Sequence, residues 1–307
     1  MTLPRRFTVL AAKVEATPGT AEALTASEAA YNIFDAQITP NIPMSERPQQ
    51  GSYRHNAAVA GPRSATCTFR IELTGNGSGG VPTWATVFLA ACGVVNSGGV
   101  LTPRNEVVGA NVKTITIGVY EAGRRSRMSG AMGNAVFEFV SGQLIGIDFT
   151  FTGKWEGEDD QTLIVPTYPT RLPLRAAATT FTIGSVTPCF ETMTFDLGNE
   201  VYLRPCSTTD SGFAAAVITS RRPVFSLDPE AKLVATDDRY GRWLASTTQA
   251  FSYAVEDADD SITFAAPAVQ IMNVTPGERG NLITDNTELL CVASGTDPEF
   301  SITFAAA

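Results

Sequence analysis

The chain has 307 residues and only one histidine, His55. A Ser-His-Asp or Cys-His nucleophilic site would have to rest on that residue alone. It stands among Tyr53, Arg54 and Asn56 in a stretch rich in proline and glycine, the setting of a surface or contact residue. Cysteine is scarce too, with five residues. Cys67, Cys92, Cys189, Cys206 and Cys291 are far apart, odd in number and without a CxxC pair, so neither a disulfide framework nor a zinc site is suggested. They read as small buried residues in a reducing compartment. Long apolar runs are missing as well: the longest, around Ala85 to Val95, is interrupted by Gly93 and is too short to span a bilayer. The N-terminus lacks the hydrophobic core of a signal peptide, and synthesis and assembly in the cytoplasm are expected. Basic charge is in deficit. The net charge is −9, with 13 basic and 14 acidic residues in 1–165 but 9 and 17 in 166–307. Phosphate backbones are repelled by such a surface, which argues against a dedicated nucleic-acid binder.

The residues that are present point to β-structure. Hydrophobic residues make up 44% and charged residues 17%, enough apolar material for packed cores. The 26 glycines and 18 prolines are spread at short intervals and punctuate runs of Val, Ile, Thr and Phe. Residues 1–30, including KVEATPGT at 13–20, lack an apolar period able to build a self-burying element and read as an arm. The segment 31–39 is extended. In CTFRIEL at 67–73 the alternation is clean, with Cys67, Phe69, Ile71 and Leu73 on one face and Thr68, Arg70 and Glu72 on the other. Between them 40–64 holds Pro40, Pro43, Pro48, Gly51 and Pro62 and reads as a long loop with a task. Trp84, Val87, Phe88 and Ala91 are spaced for one amphipathic helix, closed by Gly93. Strands follow at 112–120, with Ile115, Ile117 and Val119 inward, at 135–140 and at 144–151, the last two forming a hairpin through Ser141 and Gly142.

The acidic run Glu156, Glu158, Asp159 and Asp160, followed by TYPTRLP at 167–173, marks a boundary, so the expected organisation is an arm (1–30), a first β domain (31–154), a linker (155–180) and a second β domain (181–307). The second half repeats the first. Phe34 to Phe69 and Phe190 to Phe225 are both 35 residues apart, and FDAQIT at 34–39 lies against FETMTF at 190–195. Further along, Trp84 is set against Trp243, TITIG at 114–118 against SITFA at 261–265, and the 12 residues from Phe137 to Phe149 against the 12 from Leu290 to Ile302. Both tryptophans are expected in the core.

Candidate chemistry does not converge. The clusters 156–160 and 256–260 (Glu256, Asp257, Asp259, Asp260) lack the Asp-x-Asp-x-Asp-Gly spacing of a calcium loop and read as solvated turns. GNGSGG at 75–80 lacks the Lys-Ser/Thr of a phosphate cradle and reads as a flexible loop. Arg124, Arg125 and Arg127 read as a solvated hairpin turn or, alternatively, as an intersubunit patch facing the acidic clusters. No catalytic, cofactor-binding or metal-binding residue is nominated, and an enzyme is not expected.

The order of KVEATPGT, the extended 31–39, the Arg/Pro/Gly loop 45–64, CTFRIEL, the Gly-rich loop, VPTWATVFLAACG (81–93), and the closing strands MSGAMGNAVFEF (128–139) and IGIDFTFTG (145–153) resembles the major tail tube proteins of long, non-contractile phage tails. The resemblance covers about 140 residues well, and the second half only through the internal repeat. It implies a mainly β fold of two tandem sandwich or barrel domains, each with one short flanking helix, six domains surrounding a channel, and rings stacking through 45–64 and 1–30. Three duplicated chains would then supply a pseudo-sixfold ring, a hexamer of whole chains being the alternative. It also implies a place in the virion tail, assembly in the host cytoplasm, a tape-measure protein, a terminator and a distal tail protein as partners, and passage of DNA through an acidic lumen without specific binding. A tandem β-sandwich adhesion or carbohydrate-binding module remains the competing reading.

Overall fold

The structure, a computed structural model, describes residues 7–105, 109–177 and 179–307. Residues 1–6 of the expected arm and residue 178 of the expected linker lie outside the described residues. The first half runs β1 (Thr8–Val14), β2 (Ile33–Asn41), β3 (Met44–Pro48), β4 (His55–Ala60), β5 (Ser64–Glu72), a helical segment whose central turn is a π-helix (Ala85–Leu89), β6 (Val94–Ser97), β7 (Val100–Pro103), β8 (Ile115–Glu121), β9 (Arg124–Val140) and β10 (Gly146–Asp160). The second runs β11 (Thr180–Ile183), β12 (Thr192–Asp196), β13 (Asn199–Pro205), β14 (Phe213–Arg221), β15 (Val224–Leu227), α1 (Arg239–Leu244), β16 (Thr248–Glu256), β17 (Asp260–Arg279), β18 (Leu282–Val292) and β19 (Ser301–Ala306). The fold is mainly β, as expected from the punctuated runs of β-branched and aromatic residues.

Alternation in the sequence becomes the two faces of one sheet. Cys67, Phe69 and Ile71 of β5 lie opposite Phe151, Phe149 and Ile147 of β10, all buried, while Arg70 and Asp148 face the other way. Phe69, Phe149 and Phe151 stack at 5.3 to 5.8 Å between ring centroids and meet Phe88 of the helix. Each such ring removed from water stabilises the fold by about 1.5–3 kcal/mol. Trp84 is buried, donates its indole N–H to the Thr74 carbonyl at 3.0 Å and touches Phe304 edge-on.

The large sheet has the strand order β2-β5-β10-β9-β12-β15-β18-β17-β19-β7-β6, with β1 and β8 branching from β9, and β11 and β16 from β17. The first four strands and the next four therefore follow the same plan: the second strand of the half, its fifth, then two long strands. Two small hairpins, β3–β4 and β13–β14, stand apart from this sheet at the same point of each half. The long strands β9 and β17 each change partners midway. β9 has β8 along its first half and β12 along its second, and β17 passes from β16 and β19 to β18. One contiguous core of buried residues runs from Leu10 to Phe304 and so spans both halves.

Several expectations are corrected. Residues 8–14, read as part of an arm, form β1, in which Leu10, Ala11 and Ala12 are buried. The strand is covered on both faces, so no alternation betrays it. The stretch 40–64 is not a loop but carries the β3–β4 hairpin, all of it exposed. The matches beyond the helix slip by one strand: β8 occupies the place of β16, whereas 261–265 opens β17, the place of β9. Likewise Phe137 and Phe149 face each other's neighbours on β9 and β10, while Leu290 and Ile302 lie on β18 and β19. Trp243 is 38% exposed rather than core. GNGSGG is not a free loop, because the Gly77 N–H donates to both Asp260 carboxylate oxygens at 2.9 and 3.0 Å.

Candidate assembly interface

The strands that end the plan of each half determine what the surface can do. β12 is flanked by β9 and β15, whereas β2, which holds the same place, pairs only with β5 among the described residues. From Ile271 to Arg279, β17 keeps β18 on one edge and has no partner strand on the other among the described residues. Unpaired backbone edges of this length are templates for another strand. The edges are matched in kind to a junction already made inside the chain. There β12 pairs antiparallel with β9, Thr192 opposite Val140 through Asp196 opposite Val136.

That internal junction is built from both apolar and polar contacts. Phe195 is fully buried, its ring 5.8 Å from Phe137 and 4.2 Å from Phe225. Around it runs a polar network: Asn134 Nδ2 donates to Asp196 Oδ1 at 2.7 Å, the Asn199 N–H donates to Asn134 Oδ1 at 3.0 Å, and Asn199 Nδ2 donates to the carbonyls of Cys92 and Gly133 at 2.7 and 3.0 Å. Nearby, the buried Glu15 carboxylate accepts from Thr114 and Thr116 hydroxyls and from the backbone N–H groups of Gly19 and Gly130, at 2.6 to 2.9 Å. Four donors replace the water that the carboxylate lost on burial. This clasp ties the TPGT turn at 17–20 to the β9 bulge.

Of the charged clusters singled out in the sequence, the structure joins two. The run 156–160 does not end the sheet but completes β10, with Asp160 opposite Arg124 and Asp159 opposite Arg125. Arg125 reaches Asp159 at 2.6 Å, and Arg124 bridges Glu121 at 3.0 Å and Glu158 at 3.4 Å. Cross-strand cations neutralise the like charges that appeared to forbid a strand. The Asp159 carboxyl is held below the usual range by the Arg125 hydrogen bonds, assisted by Gln161. The arginine cluster thus begins at the exposed β8–β9 turn, and Arg124 and Arg125 pair there with acids of the same chain. The second cluster gathers on Arg171, which lies 2.7 Å from Asp259, 2.5 Å from Asp260 and 3.7 Å from Asp257. His55 lies on β4, exposed, with Arg47 and Pro48 of β3 across the hairpin. Among the described residues no group of His, Cys, Asp and Glu is arranged to hold a metal ion.

A family model described as phage tail tube protein matches residues 8–304, nearly the whole chain. The chain belongs to the phage tail tube protein family. A search of curated proteins found no match. The tube protein is thus a structural component of a phage tail, and its family membership implies association with itself into a tube. A tube is built through surfaces at which copies meet, and the described strand edges without a partner include those of β2 and of β17 from Ile271 to Arg279. No helix among the described residues is long and apolar enough to cross a membrane. Two polar residues, Glu15 of the clasp and Asn199 of the junction network, had escaped the sequence reading. A shared signal was present in the hairpins: Arg-Pro at 47–48 and 204–205, and Ala-Ala-Val at 57–59 and 215–217.

Proposed function

We propose that this tube protein is an internally duplicated subunit, three copies of which close a pseudo-sixfold ring, and that stacked rings form the hollow tube of a long, non-contractile tail. The observation that carries the reading is the β9–β12 junction: the first half already pairs its long strand with the leading strand of the second. Repeating the same step between chains brings the open edge of β17 to β2 of the next copy. After three chains the free edges of β2 and β17 are all paired, which removes these two templates for uncontrolled association. The first unit, expected at 31–154, extends from β1 to the end of β10 at Asp160, and the second is 181–307.

In such a ring the face of the large sheet turned away from the core lines the channel. It carries Glu72, Glu138, Asp148 and Glu288 against Arg70 and Arg222, with Arg70 bridging Glu138 at 2.7 Å and Asp148 at 3.0 Å. An acidic excess there repels phosphates and lets DNA slide. The tape-measure protein before ejection, the terminator and the distal tail protein at the tube ends, and assembly in the host cytoplasm complete the proposal.

Electron microscopy of the purified chain at high concentration, with light scattering on the same sample, tests it. Hollow tubes built of three-chain rings are expected. Rings of six chains would overturn the duplicated-ring reading, and a compact monomer that never forms rings, even with tail-tip components added, would favour the binding-module alternative.

A further inference from the structure

We infer that the outward apolar face of α1, with the loop before it, is a docking surface for a second copy of this chain, whose β8–β9 turn and end of β10 cover it when a ring closes. The inference rests on the duplicated-ring reading above. It adds to the edge pairing a contact on the side of the sheet away from the channel.

The helix is built inside out. Its cations turn inward: Arg239 is buried and bridges Asp237 at 2.7 Å and Asp285 at 3.2 Å, and Arg242 bridges the other carboxylate oxygen of Asp237. Asp237 and the two arginines line one small cavity with the core-face residues Leu227, Ile271 and Leu289, which places α1 on the core side of β15, β17 and β18. Its apolar residues turn outward. Tyr240, Trp243 and Leu244 are spaced by three and four residues for one helix face, and all are exposed, Leu244 at 90%. Leu233 and Val234 of the preceding loop are exposed too, at 80% and 69%. The buried ion pairs fix which way the helix faces, and an apolar face held outward marks a surface that another molecule covers.

The first half shows what covers such a surface. Each helical stretch follows the fifth strand of its half, β5 or β15. The stretch after β5, from Gly75 to Gly93, lies under the second half. Gly77 is tied to Asp260 at the β16–β17 turn, and Gly79 is so close to the Ala306 backbone that a Cβ on it would clash. Trp84 meets Phe304 of β19, and the Cys92 carbonyl accepts from Asn199. In a ring the second half is followed by the first half of the next copy, joined to β17 through β2 as β12 is joined to β9. The β8–β9 turn then holds the place of the β16–β17 turn. The end of β10, with Asp160 opposite Arg124, holds that of β19, with Ala306 opposite Asp260. Beside this turn stands Phe7, exposed, its carbonyl accepting from the Ala122 N–H at 3.1 Å. Phe7 offers an apolar group to Trp243 and Leu244, and the exposed Asp160 offers a charge to the exposed Lys232.

Acrylamide quenching of tryptophan fluorescence decides the matter, measured on single chains, isolated rings and stacked tubes of the wild type and of Trp243→Phe, with Leu244→Glu as a second variant. Trp84 is buried and Trp155 half-buried, so the difference between wild type and Trp243→Phe reports Trp243. That quenchable difference is expected to be lost, with a shift of emission to shorter wavelength, as soon as rings close and before they stack. Leu244→Glu changes a side chain exposed in the single chain. It is expected to keep its circular dichroism and melting temperature but to need at least about tenfold more protein to form rings. Three-chain rings in which Trp243 stays open to the quencher, or closes only on stacking, would overturn the docking surface and leave the ring reading intact. Ring formation by Leu244→Glu at the wild-type concentration would overturn the surface as well. Rings of six chains with Trp243 closed would support the surface and sink the chain count. Single chains that never form rings, even with tail-tip components added, would overturn both.

Discussion

Glu15 shows how a residue can be structural without looking so in sequence. It is one carboxylate among 31 acidic residues, yet it is 3% exposed and satisfied by four donors. Glu15→Ala strands two backbone N–H groups and two hydroxyls, and a loss of about 2–4 kcal/mol is expected in urea unfolding. The effect should fall on the clasp, so exchange at Gly19 and Gly130 should rise more than in the second half. Thiol chemistry divides similarly by burial. Cys67, Cys92 and Cys291 are buried, and burial pushes their thiols well up. Cys189 is exposed, and the Cys206 thiol is drawn down by hydrogen bonds from Thr208. Titration of the native chain with a thiol reagent should show two fast groups and three that react only on unfolding.

Among the elements, the long strands β9, β10 and β17 do the connecting, and two of their properties are measurable. β9 and β10 carry complementary charge where they extend beyond the core. The Asp159 carboxyl is lowered by Arg125, so its contribution is fully present above the usual carboxylate value and is lost as pH falls through the lowered one. Both partners are partly solvated, and the pair contributes less than about 1 kcal/mol. The difference in urea midpoint between wild type and Asp159→Asn should therefore be small at pH 6 and shrink as the pH falls below the ordinary carboxylate range, disappearing once Asp159 is protonated in the folded chain. The other property is the junction strand β12. Phe195 is fully buried between Phe137 of the first half and Phe225 of the second. Phe195→Ala should cost about 3–5 kcal/mol by calorimetry or denaturant.

For the whole molecule, the contiguous core means that the two halves should not melt separately. Calorimetry of the single chain is expected to give one cooperative transition, and Phe195→Ala should shift all of it to lower temperature rather than split off a second peak. Two resolved peaks in the wild type would mean that the β9–β12 junction couples the halves weakly. That outcome would also weaken the ring, because the proposed contact between chains copies this junction. The ring itself is checked by counting chains per particle as described above.

How much of this was legible beforehand follows from which interactions are local in sequence. The alternation in CTFRIEL, the Trp84-Val87-Phe88-Ala91 spacing and the hairpin at Ser141–Gly142 fixed β5, the first helix and the β9–β10 turn, because side-chain period and turn chemistry are properties of neighbouring residues. The order of these motifs was enough to suggest the tube family. β1 was hidden because a strand covered on both faces has no period. The strand through 156–160 was hidden because its acids are balanced by arginines some 30 residues away. Trp243 looked like Trp84, but only the fold decides that the C-terminal strand covers one helix and leaves the other open. The sequence by itself determined the class of structure. Tertiary structure alone decided where each half ends, which edges are paired and which remain free, since those depend on contacts between residues from 52 (Val140 and Thr192) to 201 positions (Leu101 and Ile302) apart.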